Sequence, residues 1–214
     1  MEPKIDCVIL GAAPILNKAA LLNRLTGSEF LICADGGLDH AAALGLTPNL
    51  IVGDFDSANL KPPQGVETVV LPCRKDDTDL QFAAAEGVRR GFRSFLLAGV
   101  TGGARPEHTV AAYCTMAWLG EHGKSVTATN GVSNYYFVSG CLQLQGLQNS
   151  YLSVFPFGGP AHGVCITGAS YPLQNGTLTP NYPLGVSNEV TAPLCTVSVK
   201  QGALLVITTP KQLL

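Results

Sequence analysis

The chain has 214 residues, of which 46% are hydrophobic and only 13% charged, with a formal net charge of −2. That length holds one large domain or two small ones with real cores. The near-neutral balance gives no footing for nucleic acid or an anionic membrane surface, and no apolar run is long and pure enough to span a bilayer.

The opening MEPKIDCVIL places an acid before a short apolar run. It lacks the basic flank and cleavage spacing of a signal peptide and reads as a strand over Ile5–Leu10. Pro14 then opens a segment with apolar positions at helical spacing through Leu25. EFLICA (Glu29–Ala34) is the next strand, and Leu38 to Leu46 a short Ala-rich helix. Leu50–Val52 leads into GDFDS, and Val66–Leu71 leads into KDDTD. From Asp77 to Arg90, Leu80, Ala83, Ala84, Gly87 and Val88 form one helical stripe. Ser94–Gly99 reads as a buried strand and Pro106–His122 as a second strong helix. Strands alternating with helices through short connections predict a doubly wound, mostly parallel sheet.

After Ser125 the rhythm changes. YYFV, LQLQ, YLSVF, GVCITGA, CTVSVK and ALLVITT are separated by Gly, Pro and Asn turns. Short strands at this spacing predict an all-β antiparallel sandwich or barrel. The expected division is an α/β domain over residues 1–130 and a β domain over 131–214. The seven cysteines are scattered singly with no CxxC pair. Cys7, Cys33, Cys141 and Cys195 sit in strand-like runs, which predicts buried thiols in a reducing cytoplasm rather than a zinc site or disulfide framework.

In a chain this poor in charge, the acids are unevenly placed. ADGG follows the second strand, GDFDS the third and KDDTD the fourth, while GARPEHT (Gly103–Thr109) follows the fifth and opens a helix. Open α/β sheets bind ligands beyond the carboxyl ends of their strands, so four acidic clusters converge on one edge. Asp54 and Asp56 are alternate residues and project the same way from extended backbone. Two such carboxylates repel unless a cation lies between them, and Mg²⁺ takes one or two carboxylates plus phosphate oxygens and waters. Each motif also has a plain reading. ADGG reads equally as a turn whose glycines supply positive φ, and Asp77 and Thr78 as caps of the following helix. Neither a P-loop nor a GxGxxG is present, so cations must hold any phosphates. Lys75 and Arg105 are embedded in the acidic motifs for that role.

ADGG, GDFDS, KDDTD and GARPEHT, in this order and spacing, resemble the thiamine pyrophosphokinase family in its bacterial form. LSVFPF, SYPL, LGVSNEV and VKQGALLVI resemble that family's C-terminal domain. GARPEHT departs from the family's Gly-Gly-Arg-x-Asp-His-Thr, since Ala104 stands for Gly and Glu107 for Asp. The resemblance implies transfer of a diphosphoryl group from ATP to the hydroxyethyl oxygen of thiamine, releasing AMP. It implies Mg²⁺ held by Asp54, Asp56 and Asp79, with one of these or Asp35 accepting the hydroxyl proton. Lys75, Asp77, Thr78, Arg105, Glu107 and His108 would serve the nucleotide. Tyr171 would stack on thiamine, and Ser187 and Asn188 would offer hydrogen bonds to its aminopyrimidine. It further implies a homodimer whose active site is shared between subunits. The rivals are a diphosphokinase for another heteroaromatic alcohol, such as a hydroxymethylpterin, and a non-catalytic thiamine- or nucleotide-binding regulator. His40, His122 and His162 share no metal-ligand spacing, and Trp118 reads as core or interface.

Overall fold

The computed structural model describes residues 4–54, 60–73 and 76–213, and the chain divides into two compact units, Met1–Gly131 and Val132–Leu214. The first unit is a parallel sheet of β1 (Cys7–Leu10), β2 (Phe30–Ala34), β3 (Leu50–Gly53), β4 (Glu67–Val70), β5 (Ser94–Ala98) and β6 (Ser125–Thr129). Its spatial order is β4-β3-β2-β1-β5-β6, every neighbouring pair being parallel. The helices are α1 (Lys18–Leu22), α2 (Gly37–Leu44), α3 (Asp79–Arg89) and α4 (Pro106–Glu121). Val8, Leu10, Leu96 and Ala98 share a core with Leu21 of α1 and with Leu38 and Ala41 of α2. On the alternate face, Cys7 and Phe95 meet α3 at Gly87, where an added Cβ would lie 2.6 Å from the Phe95 ring. Helices therefore cover both faces, which is why β1 and β5 are buried along their whole length.

Two differences from the sequence reading have local causes. The helix expected from Pro14 is only one turn and a half, because Asn17 caps it by accepting from the Ala20 amide at 3.0 Å. The residues ahead of that cap stay non-helical, and Leu16 N–H donates to the Asn130 carbonyl at 2.7 Å. The parallel rhythm also runs one strand further than Ser125. SVTAT, polar at alternate positions, forms β6 and pairs with β5 from Ser94↔Ser125 to Ala98↔Thr129.

The second unit is antiparallel and contains β7 (Asn134–Val138), β8 (Cys141–Gln145), β9 (Ser150–Thr167), β10 (Leu173–Leu178), β11 (Asn188–Glu189), β12 (Leu194–Ser198) and β13 (Gln201–Pro210). Its order is β7-β13-β9-β12-β8, with β10 and β11 also on β9. YLSVF and GVCITGA, which read as separate strands around Pro156, Gly158 and Pro160, are the two halves of β9. The first half pairs with β11 and most of β13, the second with β10 and β12. A register shift between Gln201 and Ala203 marks the turn. There Gly202, at φ 91, lies so close to β9 that a Cβ would meet the Pro160 carbonyl at 2.7 Å. Leu152 and Val154 from one half and Ala161, Val164 and Ile166 from the other enter a single core with Val197, Leu204 and Val206. LQNGTL, too polar to read as a strand, forms β10 by pairing with β9. No helix among the described residues is long and apolar enough to cross a membrane.

Of the thiols expected inside, Cys7, Cys33 and Cys195 are buried and Cys141 is exposed at the start of β8. Burial pushes the Cys7 and Cys33 thiols up to about 12, so they are packing groups rather than nucleophiles. At the end of α3, Arg89 and Arg90 both bond the Glu86 carboxylate, and Arg90 reaches on to Glu67 of β4 at 2.6 Å. The Arg89 hydrogen bond, then that of Arg90, holds the Glu86 carboxyl down at about 2. A depressed carboxyl stabilises the fold fully above its unfolded value near 4.5, and that contribution vanishes as pH falls through about 2. Arg89 is largely exposed and its share is screened. Glu86→Gln should therefore cost about 1–2 kcal/mol at pH 7. Urea unfolding at several pH values should show the gap to wild type closing between pH 4.5 and pH 2.

Candidate active site

The strand order reverses at β1, which lies between β2 and β5. Such a switch point opens a crevice beyond the carboxyl ends of the strands. Each helix follows a strand and returns to feed the next parallel one, so α2, α3 and α4 all begin at this edge. Their N-termini present the positive ends of the helix dipoles, which favour anions.

Asp35 leaves β2 with φ 47, its amide donating to the Val52 carbonyl at 2.8 Å. Gly53, at the end of β3, packs so tightly on it that an added Cβ would lie 3.1 Å from Asp35 Cα and 3.2 Å from its nitrogen. Asp35 and Asp54 therefore leave adjoining strand ends whose backbones touch. The β3–β4 pairing runs to the same edge, with the Leu71 amide on the Gly53 carbonyl at 2.9 Å. The expectation that the ADGG glycines supply positive φ is corrected. Gly36 has φ −60 and Gly37 is helical, so the left-handed residue is Asp35 itself. The glycines are there for room. A Cβ on Gly37 would collide with the Leu10 carbonyl, and one on Gly36 would come 2.9 Å from the Ala12 methyl.

Thr78 caps α3, its hydroxyl accepting from the Gln81 amide at 3.1 Å, as the plain reading of KDDTD expects. Asp77 is exposed, and Asp79 opens the helix with one carboxylate oxygen shielded from solvent. Asp56 and Lys75 lie outside the described residues. Among the described residues no three of His, Cys, Asp and Glu gather into a metal-holding group. Arg105 Nε donates to Glu107 Oε1 at 2.7 Å, both side chains being mostly exposed. This bond holds the Glu107 carboxyl below its ordinary value. His108 is exposed and gives its amide to the Arg105 carbonyl at 3.1 Å. The Ala104 departure has a structural answer: the left-handed residues of this loop are Gly102 and Gly103, so no glycine is needed at 104.

One part of the edge was missed from sequence. Gly11-Ala12-Ala13-Pro14 follows β1 and carries no charge, yet it forms the wall of the switch point. Gly11 N–H donates to the Ala98 carbonyl at 2.9 Å and Ala13 N–H to the Gly99 carbonyl at 2.8 Å. A Cβ on Gly11 or on Gly99 would come 2.6 Å from the other's carbonyl oxygen. His40 of α2 supports this loop, its Nε2–H donating to the Ala13 carbonyl at 2.9 Å. The available signal was a run of small residues directly behind an apolar strand. A cavity of about 330 Å³ lined by Lys4, Asp6, Glu29, Asn49 and Phe92 lies at the opposite, amino edge. Its polar groups are tied up in loop contacts, Asp6 with the Arg93 and Ser94 amides and Asn49 with Leu31.

In the second unit Tyr171 and Asn188 come together. Asn188, 6% exposed, accepts from the Tyr171 amide at 2.9 Å and donates to the Tyr171 carbonyl at 2.7 Å. Tyr171 itself is 72% exposed. Ser187 is exposed with φ 58, and its amide donates to Ser153 Oγ at 3.1 Å.

A parallel sheet with acids at its carboxyl edge, joined to an antiparallel β unit, defines a two-unit α/β-plus-β chain. Comparison with known proteins gives the family. The profile described as thiamin pyrophosphokinase, catalytic domain, matches residues 21–128, and that of the vitamin B1 binding domain matches residues 142–204. A thiamine pyrophosphokinase of Bacillus subtilis (strain 168) is 28% identical over 184 residues, covering 82% of this chain and 85% of that protein. A crystal structure of thiamine pyrophosphokinase from Bacillus subtilis shares the fold with a TM-score of 0.86 at 21% identity, covering 96% of this chain and 99% of that one. The yeast thiamin pyrophosphokinase structure gives 0.79 at 12% identity, covering 98% and 87%. The chain belongs to the thiamin pyrophosphokinase family and is an enzyme, a thiamine diphosphokinase.

Gly53→Ala tests the strand-end contact. The added methyl meets Asp35 backbone, which cannot give way as a side chain would. It should cost about 1–3 kcal/mol by overpacking while lowering turnover more than tenfold, because it forces Asp35 and Asp54 apart. Paired unfolding and turnover measurements check this, and unchanged turnover would show that the spacing of these two acids is irrelevant.

Proposed function

We propose that the enzyme transfers a diphosphoryl group from ATP to the hydroxyethyl oxygen of thiamine, giving thiamine diphosphate and AMP. The observation that carries this reading is the backbone contact between Gly53 and Asp35, which roots two acid-bearing loops side by side at the helix N-termini.

That edge is acidic as well as dipolar, since Asp39, Asp79 and Glu107 stand in the first turns of α2, α3 and α4. A polyphosphate cannot settle among these carboxylates without cations. Carboxylate oxygens are hard donors of the kind Mg²⁺ takes, and Asp54, Asp56 and Asp79 are the residues that would hold it. When bound, it would neutralise charge on the transferring phosphoryl oxygens. The remaining work falls to the chain. Lys75 and Arg105 steady the phosphates, with Asp77, Thr78 and His108 around the same loops. The Arg105–Glu107 pair is exposed and screened by solvent, so Arg105 can exchange Glu107 for phosphate at little cost. The thiamine oxygen attacks the β-phosphorus, its proton passing to a carboxylate of the Asp35, Asp54, Asp56, Asp79 group. The bond from that phosphorus to the α,β-bridging oxygen breaks, and AMP departs with the oxygen.

Thiamine is taken up by the second unit, where the exposed Tyr171 ring offers a face to a flat cation. Tyr182, Leu184 and Val186 are also exposed there, which supports a homodimer in which the second unit of one subunit completes the site on its partner. The singly scattered thiols support a reducing, cytoplasmic setting for the enzyme.

AMP release from ATP should require both Mg²⁺ and thiamine. Asp54→Asn and Asp56→Asn remove charge without volume and should each lower turnover at least about a hundredfold, the scale of one lost transition-state contact, with unchanged far-UV circular dichroism. Wild-type turnover in both variants would remove the metal assignment. AMP release without thiamine would remove the acceptor.

A further inference from the structure

The family resemblance implies that Asn188 would bond the aminopyrimidine of the acceptor, but the fold gives its side chain other partners. Oδ1 accepts from the amides of Tyr171 and Glu189 at 2.9 and 2.8 Å, and Nδ2 donates to the Tyr171 carbonyl at 2.7 Å. A side-chain amide has two acceptor and two donor positions, so three of the four serve backbone. The Oδ1 and Nδ2 assignment is forced, because one atom faces two donors and the other faces a carbonyl.

The setting explains the arrangement. Ala169 bridges Val190, and the Ser170 amide donates to the Glu189 carbonyl at 2.9 Å. The next rung falls at Tyr171, where Asn188 supplies from its side chain the donor and acceptor that a neighbouring strand would supply from its backbone. Pro172 follows and has no amide to offer, and β10 begins at Leu173. Tyr171 is thus gripped at both backbone groups by an almost fully buried amide while its ring stands 72% exposed.

We infer that Asn188 is a positioning residue: it acts on acceptor recognition through Tyr171, by fixing the backbone from which that ring projects, and not by contact with the acceptor. The inference rests on the reading that Tyr171 meets thiamine. A ring held at its backbone approaches a ligand face without losing further main-chain freedom on binding. Releasing it should weaken acceptor binding while leaving the nucleotide alone.

A double-mutant cycle separates the two roles. Asn188→Ala should raise the KM for thiamine about as much as Tyr171→Ala does, roughly tenfold for loss of a cation–ring contact, without moving the KM for ATP. In the Tyr171→Ala background Asn188→Ala should add less than a further twofold. A full multiplication of the two effects would mean that Asn188 touches the acceptor itself and would overturn the inference, as would an unchanged thiamine KM in Asn188→Ala. Asn188→Asp keeps the volume and the two accepted bonds but sets an oxygen against the Tyr171 carbonyl. It should shift the thiamine KM in the same direction, and again only when Tyr171 is present. Amide exchange reads the clamp without any ligand: the Tyr171 N–H should exchange at least tenfold faster in Asn188→Ala, and unchanged exchange would overturn the clamp. If Tyr171→Ala leaves the thiamine KM as it was while exchange responds as expected, the clamp stands and the acceptor reading of Tyr171 fails.

Discussion

The first unit depends on backbones that approach each other where no Cβ fits. Gly37 lies against the Leu10 carbonyl, Gly11 and Gly99 face each other across β1 and β5, and Gly53 lies against Asp35. Each contact joins the carboxyl end of one strand to the next element. Together they draw the ends of β1, β2, β3 and β5 into one rigid rim. Carbonyl oxygens and amides cannot rotate away as side chains do, so a methyl added at these points must displace a strand end. That close packing fixes the strand ends from which Asp35 and Asp54 leave.

The rim has an electrostatic consequence. Helix N-termini at a switch point attract anions, yet here the first turns of α2, α3 and α4 already carry Asp39, Asp79 and Glu107. An anion arriving alone meets dipoles that attract it and carboxylates that repel it. A cation would resolve the conflict, so under the proposed function a metal–polyphosphate complex would suit the edge better than either partner alone. The Arg105–Glu107 pair holds a guanidinium beside that edge in an exposed contact that is cheap to exchange.

Legibility in the sequence followed the physical signal. β1, β2, β3 and β5 were read within a few residues because strands buried on both faces are continuous apolar runs. β6 and β10 were missed because SVTAT and LQNGTL carry polar residues at alternate or successive positions, and partner strands rather than hydrophobicity define them. β9 was cut in two because Pro156, Gly158 and Pro160 signal turns locally, whereas here they bend a strand between two sets of partners. At the carboxyl edge, charge drew the sequence reading to Asp35, Asp54 and Asp79, which lie at or just beyond strand ends or open a helix there. The Gly11–Pro14 wall and His40 were overlooked because their contribution is backbone shape and one hydrogen bond, and neither has a composition signature.

Left-handed backbone occurs in both units. Among the described non-glycine residues with positive φ, Asp35, Asn149 and Asn175 are of types that tolerate the left-handed region. The remaining one is Ser187, which like Asp35 was singled out from sequence for chemistry. A left-handed Ser lacks the easy tolerance of Asn and persists only where its surroundings insist on it. Around Ser187 those surroundings are the Ser153 hydroxyl on its amide and the buried Asn188 next in sequence. The two units thus reach definition by opposite routes. In the first, omitted side chains let backbones touch. In the second, a buried amide stands in for missing backbone, so that an exposed ring can be presented from a fixed point.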